Sequence, residues 1–226
     1  MLRCTSNGAA MRVVAVGLIH PGDLDEAVKP SHGTQYVFAG VAAIACGIAE
    51  ALKEEADVIS VVKVCIYGAK KGYEIGINEA RIAAGTDLLP KIVKSIDIAF
   101  STSEMAGTLH QLDMYVGNDG SIQNSVAAAI GIFLATKGNP KETVIYGANL
   151  GGDTDTIACM AGMLSGALSG LSSIDEQWKD VFTSANPSID FSVIGEELYC
   201  IAVDFDRVCV LPEMYCCGVT SGSMKA

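Results

Sequence analysis

The sequence predicts an all-α fold, and three observations predict it. Apolar residues recur at three- and four-residue spacing along most of the 226 residues, the period of a helix face. Asn139-Pro140 and Asn186-Pro187 each place a capping side chain before a proline at the first helical position. Strand-like patterning of any length is confined to Val13-Val14-Ala15-Val16-Gly17-Leu18-Ile19, which reads equally as a buried helix. No linker and no internal repeat interrupts the chain, so residues 1–226 are read as one domain, with 205–226 a tail that carries no placeable motif.

Taken in order, the first strong helix follows a turn-rich stretch ending at Pro30 and carries Val37, Val41, Ile44, Ile48 and Leu52 on one face. Ala and Gly fill its gaps, so burial on most sides is expected. The second sets Val58, Val62, Ile66 and Ala69 against Lys63, Lys70 and Lys71, an amphipathic surface helix expected to end at Gly72 or Gly76. Thr86 and Asp87 can cap a third, in which Pro90 is early enough to be tolerated and Leu89, Ile92, Val93 and Ile96 face inward. Gly117-Asn118-Asp119-Gly120-Ser121 is loop chemistry, followed by a helix over about 124–136. Asn139-Pro140 starts another, running to about Ala148. Gly162, Gly166 and Gly170 form a small-residue stripe, expected to mark close contact in a soluble core. Asn186-Pro187 starts the last helix, with Val193, Ile194, Leu198 and Ile201 on its apolar face.

Composition excludes several function classes. Half of the residues are apolar and 18% are charged, enough to bury a core and too apolar for a disordered chain. The net charge of -11 repels phosphate backbones and anionic membrane surfaces, so neither nucleic acid nor membrane is an expected partner. Mean hydropathy is +0.37, yet the longest uncharged run, Ile157 to Ile174, lacks an aromatic belt or basic flank. The apolar run Val13 to Ile19 is short and has no small-residue cleavage site after it, so a signal peptide is not expected. The eight cysteines form no Cys-x-x-Cys pair, which argues against a zinc cluster. Cys46, Cys65 and Cys159 fall within apolar helical patterns and read as free core thiols of a reducing cytoplasm; Cys216 and Cys217 read as exposed.

The one dense chemical constellation is Gly151-Gly152-Asp153-Thr154-Asp155-Thr156. Two carboxylates and two hydroxyls within four residues suit a hard cation such as Mg²⁺ or Mn²⁺ and would not select zinc. The glycines allow close backbone approach, and a loop running into a helix can aim Asp153, Asp155 and Thr156 at one point. The plain alternative is that these residues only cap the helix.

Asn149 to Ala158, continued by Ala161-Gly162, Gly166-Ala167 and Gly170, resembles the carboxyl-terminal signature of the ADP-ribosylglycohydrolases, relatives of the dinitrogenase-reductase-activating glycohydrolase. Ser6-Asn7-Gly8-Ala9-Ala10-Met11-Arg12 is similar to the substrate-loop motif of that family. Ser31-His32 is similar to its Thr/Ser-His element, and Gly117-Asn118-Asp119 with Ser125-Val126 fits its later binding loop. The resemblance covers about Thr5 to Trp178.

It implies an all-α domain, a compact orthogonal multi-helix bundle, that uses paired Mg²⁺ ions to cleave ADP-ribose from a protein side chain or small acceptor. On that template Asp153, Asp155 and Thr156 are metal ligands, and Asp153 and Asp155 are the catalytic carboxylates. Thr5, Ser6 and Asn7 present donors to diphosphate or ribose, His32 contacts the substrate side of the cleft, and Asn118, Asp119 and Gly120 contribute to binding. His20 and His110 match no motif and are read as structural. The family's upstream Gly-Asp and Glu region and Thr-Asp-Asp-Thr motif have no counterpart here. The expectation is therefore a chain corresponding to the later two thirds of such a protein, its missing ligands supplied by upstream sequence or a partner chain. The competing expectation is a non-catalytic ADP-ribose-binding or structural relative, since the family also resembles a lens crystallin.

Overall fold

A computed structural model of the chain describes residues 5–28 and 33–210, with 204–210 described by backbone alone. Asn7–Arg12 forms a 3₁₀ segment that leads into α1 (Val14–Ile19) and the single turn α2 (Leu24–Ala27). The ambiguous apolar run thus resolves as helix, and extended pairing among the described residues is limited to isolated bridges, Ser6 with Ser121 and Thr34 with Arg81.

α3 (Gln35–Ala51) is the central element, and every one of its residues is buried. Its abundance of Ala and Gly is the cause, because small side chains let neighbouring helices approach from several sides. The expected face of Val37, Val41, Ile44 and Ile48 is buried, whereas Leu52 lies exposed at the helix end. α4 (Val58–Glu79) packs along α3 more extensively than any other pair of elements. It opens with a reciprocal cap, Asp57 accepting from the Ser60 N–H while the Ser60 hydroxyl accepts from the Asp57 N–H.

The expected end of this helix at Gly72 or Gly76 is wrong. The helix runs through both, and with Gly68 they form its contact stripe. A Cβ would stand 2.3 Å from the Ala42 carbonyl oxygen at Gly68, 2.3 Å from that of Phe38 at Gly72, and 2.7 Å from the Gln35 Cα at Gly76. Glycine here is a packing residue within a helix and terminates nothing.

The loop after α4 is latched to α3: the Gln35 amide bonds both the carbonyl and the N–H of Ala83, and the Tyr36 hydroxyl donates to the Gly85 carbonyl. α5 (Leu88–Ser101) follows. Ile92 is buried and Ile96 packs against the core as expected, but Val93 is 55% exposed and the buried residue near the start is Leu88. Asp87 occupies the cap position without making a side-chain cap bond. α6 (Met105–Tyr115), unforeseen, carries only Thr108 and Leu112 as buried residues. α7 (Ile122–Ala135) is buried almost throughout. Asn139 caps α8 (Pro140–Asn149) through the Glu142 N–H, as its Asn-Pro start predicts.

α8 packs on α9 (Thr154–Ser169) through Gly147, whose added Cβ would meet the Ala158 Cα at 2.7 Å. Ile157, Met160, Ala161 and Leu164 are buried as a core helix requires. The stripe expected at Gly162, Gly166 and Gly170 is not a contact line: nothing lies within 4 Å of a Cβ at Gly166 or Gly170, and only Gly162 meets a neighbour, Val144. Cys46 and Cys65 are buried and Cys159 is exposed. Burial pushes the Cys46 thiol up to about 12.

α10 (Glu176–Ala185), also unforeseen, precedes α11 (Phe191–Val210). Asn186-Pro187 does not start α11: Asn186 ends α10, and Asp190 accepts from the N–H groups of Ser192 and Val193. Val193, Ile194 and Ile201 are exposed and Leu198 is half-buried, so most of the expected apolar face is left open among the described residues, although α11 meets α1. No helix among the described residues is long and apolar enough to cross a membrane. Cys216 and Cys217 lie outside the described residues.

Candidate active site

Three loop-to-helix junctions, far apart in sequence, meet at Asp153. The first is the start of the 3₁₀ segment, where the Asn7 N–H donates to the Gly120 carbonyl at 3.2 Å and the Ile122 N–H donates to the Thr5 carbonyl at 2.7 Å. These two bonds stitch residues 5–7 to 120–122. The second is the 117–121 loop, and the third is 151–153 at the start of α9.

The second and third join through backbone. The Asp153 N–H donates to the Asn118 carbonyl at 2.7 Å, and the Asn118 amide donates to the Leu150 carbonyl at 3.3 Å. Gly152 makes this approach possible. Its φ of +64° is in the left-handed region, and a Cβ there would lie 2.3 Å from the Asn118 carbonyl oxygen; both constraints select glycine.

Asp153 stands at the cap position of α9 but makes no side-chain bond to the helix backbone. Its carboxylate is used otherwise: Oδ2 accepts from the Asn7 amide, and Oδ1 accepts from the Thr156 hydroxyl at 3.2 Å. The same hydroxyl lies 3.8 Å from Met11 Sδ. Asn7 and Thr156 are each 5% exposed, whereas Asp155 is exposed in the first turn. Neither aspartate has an ion-pair partner among the described residues. Beside them, Cys159 is exposed overall, yet its thiol is partly desolvated by its neighbours, and this together with the negative charge of Asp155 raises it above its ordinary value.

Asp119 belongs to a different local network. Its Oδ1 accepts from the N–H and hydroxyl of Ser121 and from the Asn124 amide. Partial burial alone would raise its carboxyl, but these bonds and the Lys91 ammonium outweigh it and hold the group below its ordinary value. Lys91 is shifted down by burial, opposed by Asp119, and donates to the Val116 carbonyl at 2.6 Å.

The structure therefore brings Asn7, Asn118, Gly120, Asp153 and Thr156 into one cluster, with Thr5 and Ser6 beside it. Ser6 is exposed and its hydroxyl accepts from the Gly8 N–H. His32 lies outside the described residues. A cleft of about 280 Å³ adjoins the cluster, walled by Thr5 and Ser121 and by Gly85, Thr86, Lys91 and Asn124. Sequence reasoning assigned the last four no role at a site, since no spacing links residues 85–91 to the motifs. The one available signal was Asn124, which lies within the binding-loop segment.

The fold and cluster define an all-α protein whose polar centre is built where loops run into helices. The sequence profile described as ADP-ribosylglycohydrolase matches residues 3–209, and the chain belongs to that family. It is 34% identical over 198 residues to the uncharacterized protein YegU of Escherichia coli (strain K12), covering 83% of this chain and 57% of that protein. It is 27% identical over 199 residues to the human ADP-ribosylhydrolase ARH3, covering 76% of this chain and 52% of that protein. A shorter match, 41% over 64 residues, joins it to zebrafish (Danio rerio) ADP-ribosylhydrolase ARH3, covering 28% of this chain and 17% of that protein. The chain thus spans a little over half the length of YegU and of human ARH3.

Proposed function

We propose that this chain takes part in metal-dependent hydrolysis of ADP-ribosyl linkages, with Asp153, Asp155 and Thr156 as ligands for Mg²⁺ or Mn²⁺. The observation that carries the reading is the Asp153 carboxylate. At a helix start where capping would be its ordinary task, it is held instead by Asn7 and Thr156, and no cationic side chain among the described residues neutralises it.

The donor set fits a hard cation. All its atoms are oxygens, and a carboxylate oxygen that accepts one hydrogen bond keeps a lone pair for a metal. Among the described residues no three His, Cys, Asp or Glu side chains gather as a ligand group, so two carboxylates and a hydroxyl are fewer donors than the two ions of the family template need. Substrate, water and further protein oxygens, from upstream sequence or a partner chain, would complete the shell. A bound cation supplies positive charge that orients a ribosyl group and makes a water more acidic.

The residues of this chain bind and orient around that charge. Thr5, Ser6 and Gly120 line the approach for diphosphate or ribose oxygens, and Asn118 fixes the loop that carries Asp153. Asp119, ionised and tied to Ser121 and Asn124, stiffens the cleft wall. The substrates consistent with this reading are an ADP-ribosylated protein or an ADP-ribose-containing small molecule; the names of the ARH3 relatives support the ADP-ribosyl part alone.

The test is release of ADP-ribose from ADP-ribosylated arginine or serine peptides with Mg²⁺ present. The expected outcome is little release by the 226-residue chain alone, turnover once a relative's upstream segment is added as a fusion or second chain, and loss of that turnover in Asp155→Asn. Binding of ADP-ribose without release in the completed protein would establish a binding module and overturn the hydrolase reading.

A further inference from the structure

We propose that Asn7 and Ser125 are a positioning pair that aims the Asp153 carboxylate, so that Asn7 serves the site from behind and not as a substrate contact. The inference rests on the reading of Asp153 as a cation ligand. The family resemblance places Ser125 in the later binding loop without giving it a partner, and in the structure it is fully buried on α7.

The donors and acceptors leave one arrangement. The Ser125 hydroxyl donates its only hydrogen to the Ser121 carbonyl at 3.0 Å, so toward Asn7 it can only accept, which it does from Nδ2 at 3.1 Å. The other Nδ2 hydrogen goes to Asp153 Oδ2, a carboxylate oxygen that accepts it. Both neighbours thus demand the amino end of the Asn7 side chain and fix its orientation. Asn7 is itself 95% buried, and with both amide hydrogens committed it has none to offer a ligand. Thr156 holds the second carboxylate oxygen. Asp153 is thereby gripped at both oxygens by neutral donors from two elements, with one lone pair on each left over. Donors of this kind behind a metal ligand set its direction, and their loss typically weakens metal binding about 10- to 100-fold.

Mn²⁺ alone is the probe, titrated into the full chain and followed by electron paramagnetic resonance. Asn7→Ala should weaken Mn²⁺ binding at least about 10-fold and Ser125→Ala by less. Because Ser125 acts only through Asn7, adding Ser125→Ala to Asn7→Ala should cost nothing more, whereas independent structural damage would add. The near-isosteric Ser125→Ala leaves the helix intact. A metal-free readout accompanies it: the Asn7 side-chain amide should be protected from hydrogen exchange in the wild type and lose protection in Ser125→Ala. Unchanged Mn²⁺ affinity in both single variants, with Asp153→Asn still abolishing binding, would overturn the pair and leave the metal reading standing. Wild-type affinity in Asp153→Asn would overturn the metal reading and this proposal together, and a freely exchanging Asn7 amide would overturn the pair alone.

Discussion

At the scale of single residues, the site is made of groups whose chemistry is ordinary and whose partners are not. Asp119 shows how partners set a property. Its folded carboxyl lies below its ordinary 3.8, so its contribution to stability is present above that value and lost as pH falls through the folded value. We expect the wild type to be more stable than Asp119→Asn at neutral pH, and the gap to close from about pH 5 downward, read by urea unfolding at a series of pH values. A constant gap would mean that Asp119 acts by packing and not by charge. Gly152→Ala tests the backbone in the same spirit. It must strain a positive φ and push the Asn118 carbonyl away, and we expect a loss of about 1 to 3 kcal/mol in the same experiment.

At the scale of elements, glycine spacing carries two meanings that look alike in sequence. The 68, 72, 76 set on α4 and the 162, 166, 170 set on α9 both recur every four residues, yet only the first faces neighbouring backbone along its length. Gly72→Ala should therefore destabilise by about 1 to 3 kcal/mol through overpacking. Gly166→Ala, with nothing within 4 Å, should stabilise by up to about 1 kcal/mol through helix propensity. The comparison is made by denaturant unfolding at one temperature; equal losses at the two positions would contradict the packing described here. The larger Gly166→Leu, which a tight core would reject, should be tolerated.

At the scale of the whole molecule, the proposed cation would sit on a carboxylate that ties the start of α9 to the 3₁₀ segment, so binding should stabilise the fold. At ten times its dissociation constant Mg²⁺ would add about 1.4 kcal/mol, a rise of about 3 to 6 °C in Tm for a domain of this size. Asp155→Asn, which removes ligand charge at an exposed position, should show a much smaller rise in thermal unfolding with and without Mg²⁺. An identical rise in both proteins would place the effect elsewhere.

The sequence by itself determined the helical class, the Ala-rich helix α3 and the Asp-Thr-Asp-Thr helix start, because each is written in neighbouring residues. Period, capping side chains and small-residue content act over a turn or two and need no distant partner. It left α6 and α10 unseen, since each presents little apolar surface to a core, and it read Gly72 and Gly76 as a stop because a glycine's effect depends on what approaches it. Only the tertiary structure decided that Asn186 ends one helix while Asp190 starts the next, that Asn7 turns inward, and that the Ser125 hydroxyl accepts from it. Asn7 and Asp153 are 146 residues apart, and Asn7 and Ser125 are 118 apart. No local pattern encodes a hydrogen bond across such distances; it exists because buried donors and acceptors must find one another once α3, α7 and α9 have packed.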